Sequence, residues 1–202
     1  MLVYVDALFR STDGLFFAAS ADCAGIRDVP PFRLEPQVLM TITSDGEARI
    51  FDGEDDPEYL NRFCSYIDGV PTSSNDLEPN LRGDEPCVGW YIDQVLVPSV
   101  CATAFRRGIT GPTRWMRKLN DKWTKPVGFS LERAFLQGWY PDGDKATRSL
   151  SLDDALTACG CNTLAEIAGE PEPNEKKTHT VLMSRLSAMS ILLDRYNNAS
   201  LR

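Results

Sequence analysis

Residues 37–69, QVLMTITSDGEARIFDGEDDPEYLNRFCSYIDG, place two hydrophobic periods side by side. Gln37–Thr43 is rich in β-formers and ends at Ser44-Asp45-Gly46, a turn signal, so a strand is expected. Glu47–Phe51 reads as the returning strand. There Ala48 and Ile50 alternate with Glu47, Arg49 and Phe51, the pattern of a half-exposed edge. The acidic run Asp52–Asp56 then leads into a helix. Asp56 suits its N-cap and Pro57 its first position. Leu60, Phe63, Cys64 and Ile67 recur at helical spacing, with Tyr59 beside them, and Gly69 stops the run.

Outward toward the N-terminus, Leu2–Arg10 and Leu15–Ser20 read as strands around the turn Ser11-Thr12-Asp13-Gly14, and residues 21–36 as a loop. Outward in the other direction, Pro71–Pro86 reads as a long polar loop. Val88–Val97 suits a strand or a buried helix, and Pro98-Ser99 opens a helix through Arg107. Later helices are expected over Leu131–Gln137 with Ser130 as cap, after Ser151, after Thr163 (Glu166 completing a capping box), and over about Thr178–Asn198. In the last, Leu182, Leu186, Met189, Leu193 and Tyr196 form a heptad-like stripe, which predicts docking on the chain's own core or a partner surface. The fold class is therefore α+β: an N-terminal antiparallel β-meander with one helix, followed by a mostly helical half. The two regions, residues 1–100 and 101–202, are compatible with one compact domain.

Charge divides along the same line. The chain has 202 residues and a formal net charge of −8. Residues 1–100 carry 6 Arg, no Lys and 18 acids, a net −12, whereas residues 101–202 carry 15 basic residues and 11 acids, a net +4. A general nucleic-acid coat protein is excluded, because the whole chain would repel the phosphate backbone. No apolar run is long enough to span a bilayer and no secretory signal is visible, so a cytoplasmic protein without a membrane role is expected. The six cysteines are expected to be reduced thiols, with Cys64 and Cys101 in the core.

The positive charge is concentrated in FRRGITGPTRWMRKLNDKWTK, residues 105–125. Arg106, Arg107, Arg114, Arg117, Lys118, Lys122 and Lys125 stand there against Asp121 alone. Pro112 fits a first helical position with Gly111 as cap, predicting a helix to about Thr124. Trp115, Met116, Leu119 and Trp123 share one face and most of the cations the other. The Gly108–Gly111 turn and the helix N-terminus together make a candidate anion seat. These seven residues are the candidate nucleic-acid or anion site. Asp52, Glu54 and Asp55 are the candidate surface for a basic protein partner.

Other chemistry is thinly signalled. Residues 151–169 resemble a helix-turn-helix, but Asn162–Gly169 has no Lys or Arg to meet phosphates, so a structural hairpin is expected. Asp142, Asp144 and Lys145 lie together in a turn rather than on separate strands, as a metal nuclease would need. Cys159 and Cys161 lack the second ligand pair of a zinc site. His179 is the one histidine, and no nucleophile is singled out for it. No metal or cofactor is expected. The leading expectation is a non-enzymatic accessory protein of a nucleic-acid-associated assembly, with a protein partner and direct nucleic-acid contact through the basic helix. The alternatives are a small acidic inhibitor or immunity-type protein that blocks a basic site, and an enzyme built around His179 or the aspartates.

Overall fold

A computed structural model of the chain describes residues 1–11, 17–19, 33–71, 86–120, 128–139, 150–169 and 176–200. Several expectations fall outside these residues: most of the 21–36 and 71–86 loops, Lys122, Trp123, Lys125, and the Asp142–Lys145 turn.

The run Val-Tyr-Val-Asp-Ala-Leu-Phe forms β1 (Val3–Ser11), the centre of a six-stranded mixed sheet. Apart from Arg10 every residue of β1 is buried. A strand covered on both faces reads as an unbroken apolar run rather than an alternation. β1 pairs antiparallel with β2 (Phe17–Ala19) and with β3 (Leu34–Thr43), which pairs antiparallel with the edge strand β4 (Ala48–Asp52). The strands are therefore antiparallel as expected, but β1, not β2, is the neighbour of β3. A bulge interrupts the β1–β3 register between Leu8 and Phe9. Beyond β1 two short parallel strands complete the order β4-β3-β1-β5-β6: β5 (Cys87–Gly89) and β6 (Phe129–Ser130).

β4 is the expected edge strand, and the side of it that carries Phe51 faces the helix. Ile50 is 44% exposed, whereas Phe51 packs edge-on against Phe63 with ring centroids 5.3 Å apart. Arg49 lies over the Tyr66 ring at 4.9 Å. The helix α1 (Tyr59–Gly69) supplies those aromatics and buries Tyr59, Leu60, Phe63, Cys64 and Ile67, the expected stripe. It starts later than the Asp56-Pro57 signal implies. Asp56 Oδ1 accepts from Glu58 N at 3.0 Å, so it organises the turn before the helix.

The ambiguous Val88–Val97 run divides: it ends β5 and then forms a π-helical turn, Ile92–Leu96, that continues into α2 (Val97–Arg106). Tyr91 makes the junction in the left-handed region, φ 52°. Gly128 lies close beside this turn: a Cβ there would lie 2.7 Å from Ile92 Cδ1 and 3.0 Å from Cys87 O. α3 (Thr113–Asn120) follows, and α4 spans Leu131–Trp139. Ser130 directly precedes α4, and its hydroxyl, 2.5 and 2.6 Å from the two Glu132 carboxyl oxygens, shares its proton between them.

α5 (Leu152–Ala158) begins with Ser151 Oγ accepting from Asp154 N, and α6 (Leu164–Ala168) has the complete Thr163–Glu166 capping box. α7 (Lys177–Ser200) packs across β1 and β3. Leu182, Leu186, Met189 and Leu193 are all buried in the common core, so the stripe docks within the chain. Tyr4, Asp6 and Leu8 share one face of β1. On that face Arg185 of α7 reaches Asp6, Nε to Oδ2 at 3.2 Å, and both side chains are buried.

Candidate nucleic-acid interface

α3 hangs on one aromatic. Trp115 is fully buried, its ring 5.9 Å from that of Phe63 on α1. Met116 is half-buried and Arg117 exposed, which gives the apolar and basic sides the period expected of an amphipathic helix. The helix starts one residue after the predicted position, with Pro112 O accepting from Met116 N at 2.9 Å.

The helix N-terminus is not an open anion seat. Asp68, at the end of α1, fills it: Oδ2 accepts from Thr113 N at 2.9 Å and Oδ1 from Arg114 N at 3.4 Å. A carboxylate satisfies the first amides and the positive dipole end as an external anion would. Arg114 turns back to the same corner, donating to Val70 O at 2.6 Å and Asp68 O at 3.3 Å. It is thus a brace between α1 and α3.

Arg106 and Arg107 lie on the far side of the Gly108 turn from α3. Arg106 Nη2 donates to Thr103 Oγ1 at 2.9 Å and Leu34 O at 3.3 Å. Arg107 pairs with Glu35 at 2.7 Å and stacks over Tyr59 at 5.2 Å. Of the seven candidate cations, Arg106, Arg107, Arg114 and Arg117 thus have described side chains. The side chain of Lys118, and Lys122 and Lys125 entirely, fall outside the described residues.

The candidate acidic surface is brought together, but around a partner from the same chain. Lys176 Nζ lies 2.9 Å from Asp52 and from Asp55, and 3.6 Å from Glu54. His179 Nε2 lies 2.9 Å from Asp52 Oδ2. Asp52 is buried; the side chains of Glu54 and Asp55 are 81% and 63% exposed. Burial pushes the Asp52 carboxyl up, but the amide of Glu54, Lys176 and His179 outweigh it and hold it below its ordinary range. The sequence did not single out Lys176 as a partner, because nothing local links it to residues so far upstream.

Among the described residues, no three His, Cys, Asp or Glu side chains are grouped to hold a metal ion. No described helix is long and apolar enough to cross a membrane. Burial pushes the Cys64 and Cys101 thiols up to about 12, which makes both poor nucleophiles.

No protein-family model and no curated protein matches the chain. Among solved structures it is similar to the family B DNA polymerase from the hyperthermophilic archaeon Pyrobaculum calidifontis, with 14% identity and a TM-score of 0.51. The likeness covers 100% of this chain and 25% of the polymerase, and at this identity it concerns the fold alone.

Proposed function

We propose that the chain is a non-enzymatic binding protein of a nucleic-acid-associated assembly, with residues 105–125 as its nucleic-acid face. The observation that carries this reading is the division of labour along this segment. Trp115 is fully buried and anchors α3, while Arg117 is exposed and Arg106 and Arg107 stand at the exposed end of α2. Arg107 is also pre-positioned by Glu35 and Tyr59. A guanidinium carries five donors, so one carboxylate contact does not exhaust it, and a held side chain loses less entropy when phosphate arrives. The protein-binding role of the acidic loop narrows to Glu54 and Asp55, since Asp52 is buried against α7.

The test is fluorescence anisotropy with short single- and double-stranded DNA and RNA at two salt concentrations. Arg117→Ala should weaken binding without changing thermal stability, and should reduce the salt slope by about one. Arg106→Ala and Arg107→Ala should weaken it as well, with a small stability loss from their internal contacts. Absence of binding at low salt rejects direct contact and leaves a protein-docking role for this face.

A further inference from the structure

We infer that Phe105 is a stacking platform for an unpaired base of single-stranded nucleic acid, followed directly by Arg106 and Arg107, to which folding adds Arg10 and Arg33. The inference rests on the nucleic-acid reading above and assigns it a strand type and a contact residue.

Phe105 is 82% exposed, far more than any other large apolar side chain described. It sits on the last turn of α2, whose inward positions Val97, Val100, Cys101 and Ala104 are buried. Spacing of three and four puts Pro98, Ala102 and Phe105 on the opposite side. The ring therefore adds nothing to the core. The chain then turns away at Gly108, φ 68°, and Ile109 packs back against the core.

The chain beside Phe105 is more cationic in the fold than the sequence suggests. Arg106 and Arg107 follow it directly. Arg106 reaches the carbonyl of Leu34, and the exposed Arg33 immediately precedes Leu34. Arg107 pairs with Glu35, and the exposed Arg10 stands directly opposite Glu35 in the β1–β3 register. Arg10 and Arg33 come from the half of the chain with net charge −12. In the fold they join Arg106 and Arg107 with Glu35 as the described acid between them. An exposed aromatic within a basic surface is the arrangement that single strands use: phosphates meet the guanidinium groups and a base lies on the ring. A duplex keeps its bases stacked internally and offers none to Phe105.

The experiment uses the full chain with Phe105→Ala and Phe105→Trp, a labelled single-stranded oligonucleotide, the same strand with abasic sites, and its duplex. Phe105→Ala should weaken single-strand binding by about 5- to 150-fold, at an unchanged salt slope and melting temperature. Phe105→Trp should retain binding. Duplex and abasic affinities should change little with either variant. Wild-type single-strand affinity in Phe105→Ala, with weakening in Arg106→Ala and Arg107→Ala, overturns the stacking role and leaves the nucleic-acid reading standing. Equal loss on single strand, duplex and abasic strand also overturns it. Failure of the wild-type chain to bind single strands at low salt overturns the inference; if duplex binding is also absent, direct nucleic-acid contact falls with it.

Discussion

Asp52 and His179 are 127 positions apart in sequence and meet through Oδ2 and Nε2 at 2.9 Å. With Lys176 they fasten the start of α7 to the end of β4. Because the folded Asp52 carboxyl lies below its ordinary value of 3.8, the contact stabilises the fold fully above that value. Its contribution is lost as pH falls through the depressed value. Asp52→Ala should therefore cost about 1–3 kcal/mol at neutral pH, and the gap from wild type should close in acid. Thermal melts across pH check this; a gap of constant size would contradict it. Asp55, then Asp52, raise the Lys176 ammonium, so the lysine's contribution should be full below its ordinary value of 10.5 and fade above it.

Trp115 and Phe63 tie α3 to α1. Trp115→Ala should destabilise the chain by about 3–5 kcal/mol, as expected for a buried Trp. Trp115→Phe should cost less, because the indole Nε1 has no hydrogen-bond partner among the described residues and its loss leaves no acceptor unpaired. Urea titration of both variants gives the comparison. A stable Trp115→Ala protein with weakened nucleic-acid binding would instead assign a stacking role to Trp115.

The helix stripe Leu60, Phe63, Cys64, Ile67 was legible because a 3.6-residue period over eight positions has one solution. β4 was not, because a two-residue period in Ala-Arg-Ile-Phe gives either face an apolar member. Arg49 stays exposed and lies over the Tyr66 ring on the side of Phe51. β6 was invisible and β5 was seen only as one of two readings of Val88–Val97, because two and three residues are too few to carry a period. The candidate site was half legible. Exposure of Arg117 and burial of Trp115 follow from local spacing. The pairing of Arg107 with Glu35, of Asp68 with Thr113, and of Lys176 with the acidic loop all cross long stretches of chain. Only the sheet and its covering helices bring them together.

Asp68 should behave as a remote cap. Asp68→Ala should cost about 0.5–2 kcal/mol, through loss of the Thr113 and Arg114 amide contacts, while Asp68→Asn should retain much of the stability. Hydrogen exchange of the first α3 amides should accelerate in the alanine variant. Unchanged exchange would show that the carboxylate does not hold this helix end.

Glu132 connects α4 to the left-handed junction: its Oε2 accepts from Tyr91 N at 2.9 Å. Burial raises its carboxyl above the ordinary value of 4.5, against the opposing hydrogen bonds from Ser130 and Tyr91. The folded state then keeps this proton where the unfolded chain has lost it. Stability should fall as pH rises through that interval, and Glu132→Gln should lack the slope. Glu132→Ala should cost about 1–3 kcal/mol or more, by stranding the Tyr91 amide. Melts of the two variants between acid and neutral pH separate the effects.

The Asp6–Arg185 pair also sets an order of events during synthesis. β1 is translated before the strands it pairs with and forms the middle of the sheet, yet the helix that covers the face carrying Asp6 comes more than 160 residues later. Until α7 emerges, β1 carries a carboxylate without its guanidinium and an apolar face without its cover. Strand pairing with β3 can proceed early, since those contacts are closer in sequence, but the sheet cannot be sealed co-translationally from the N-terminus onward. A chain that ends before α7 therefore leaves uncovered the face of β1 and β3 that this helix covers in the fold.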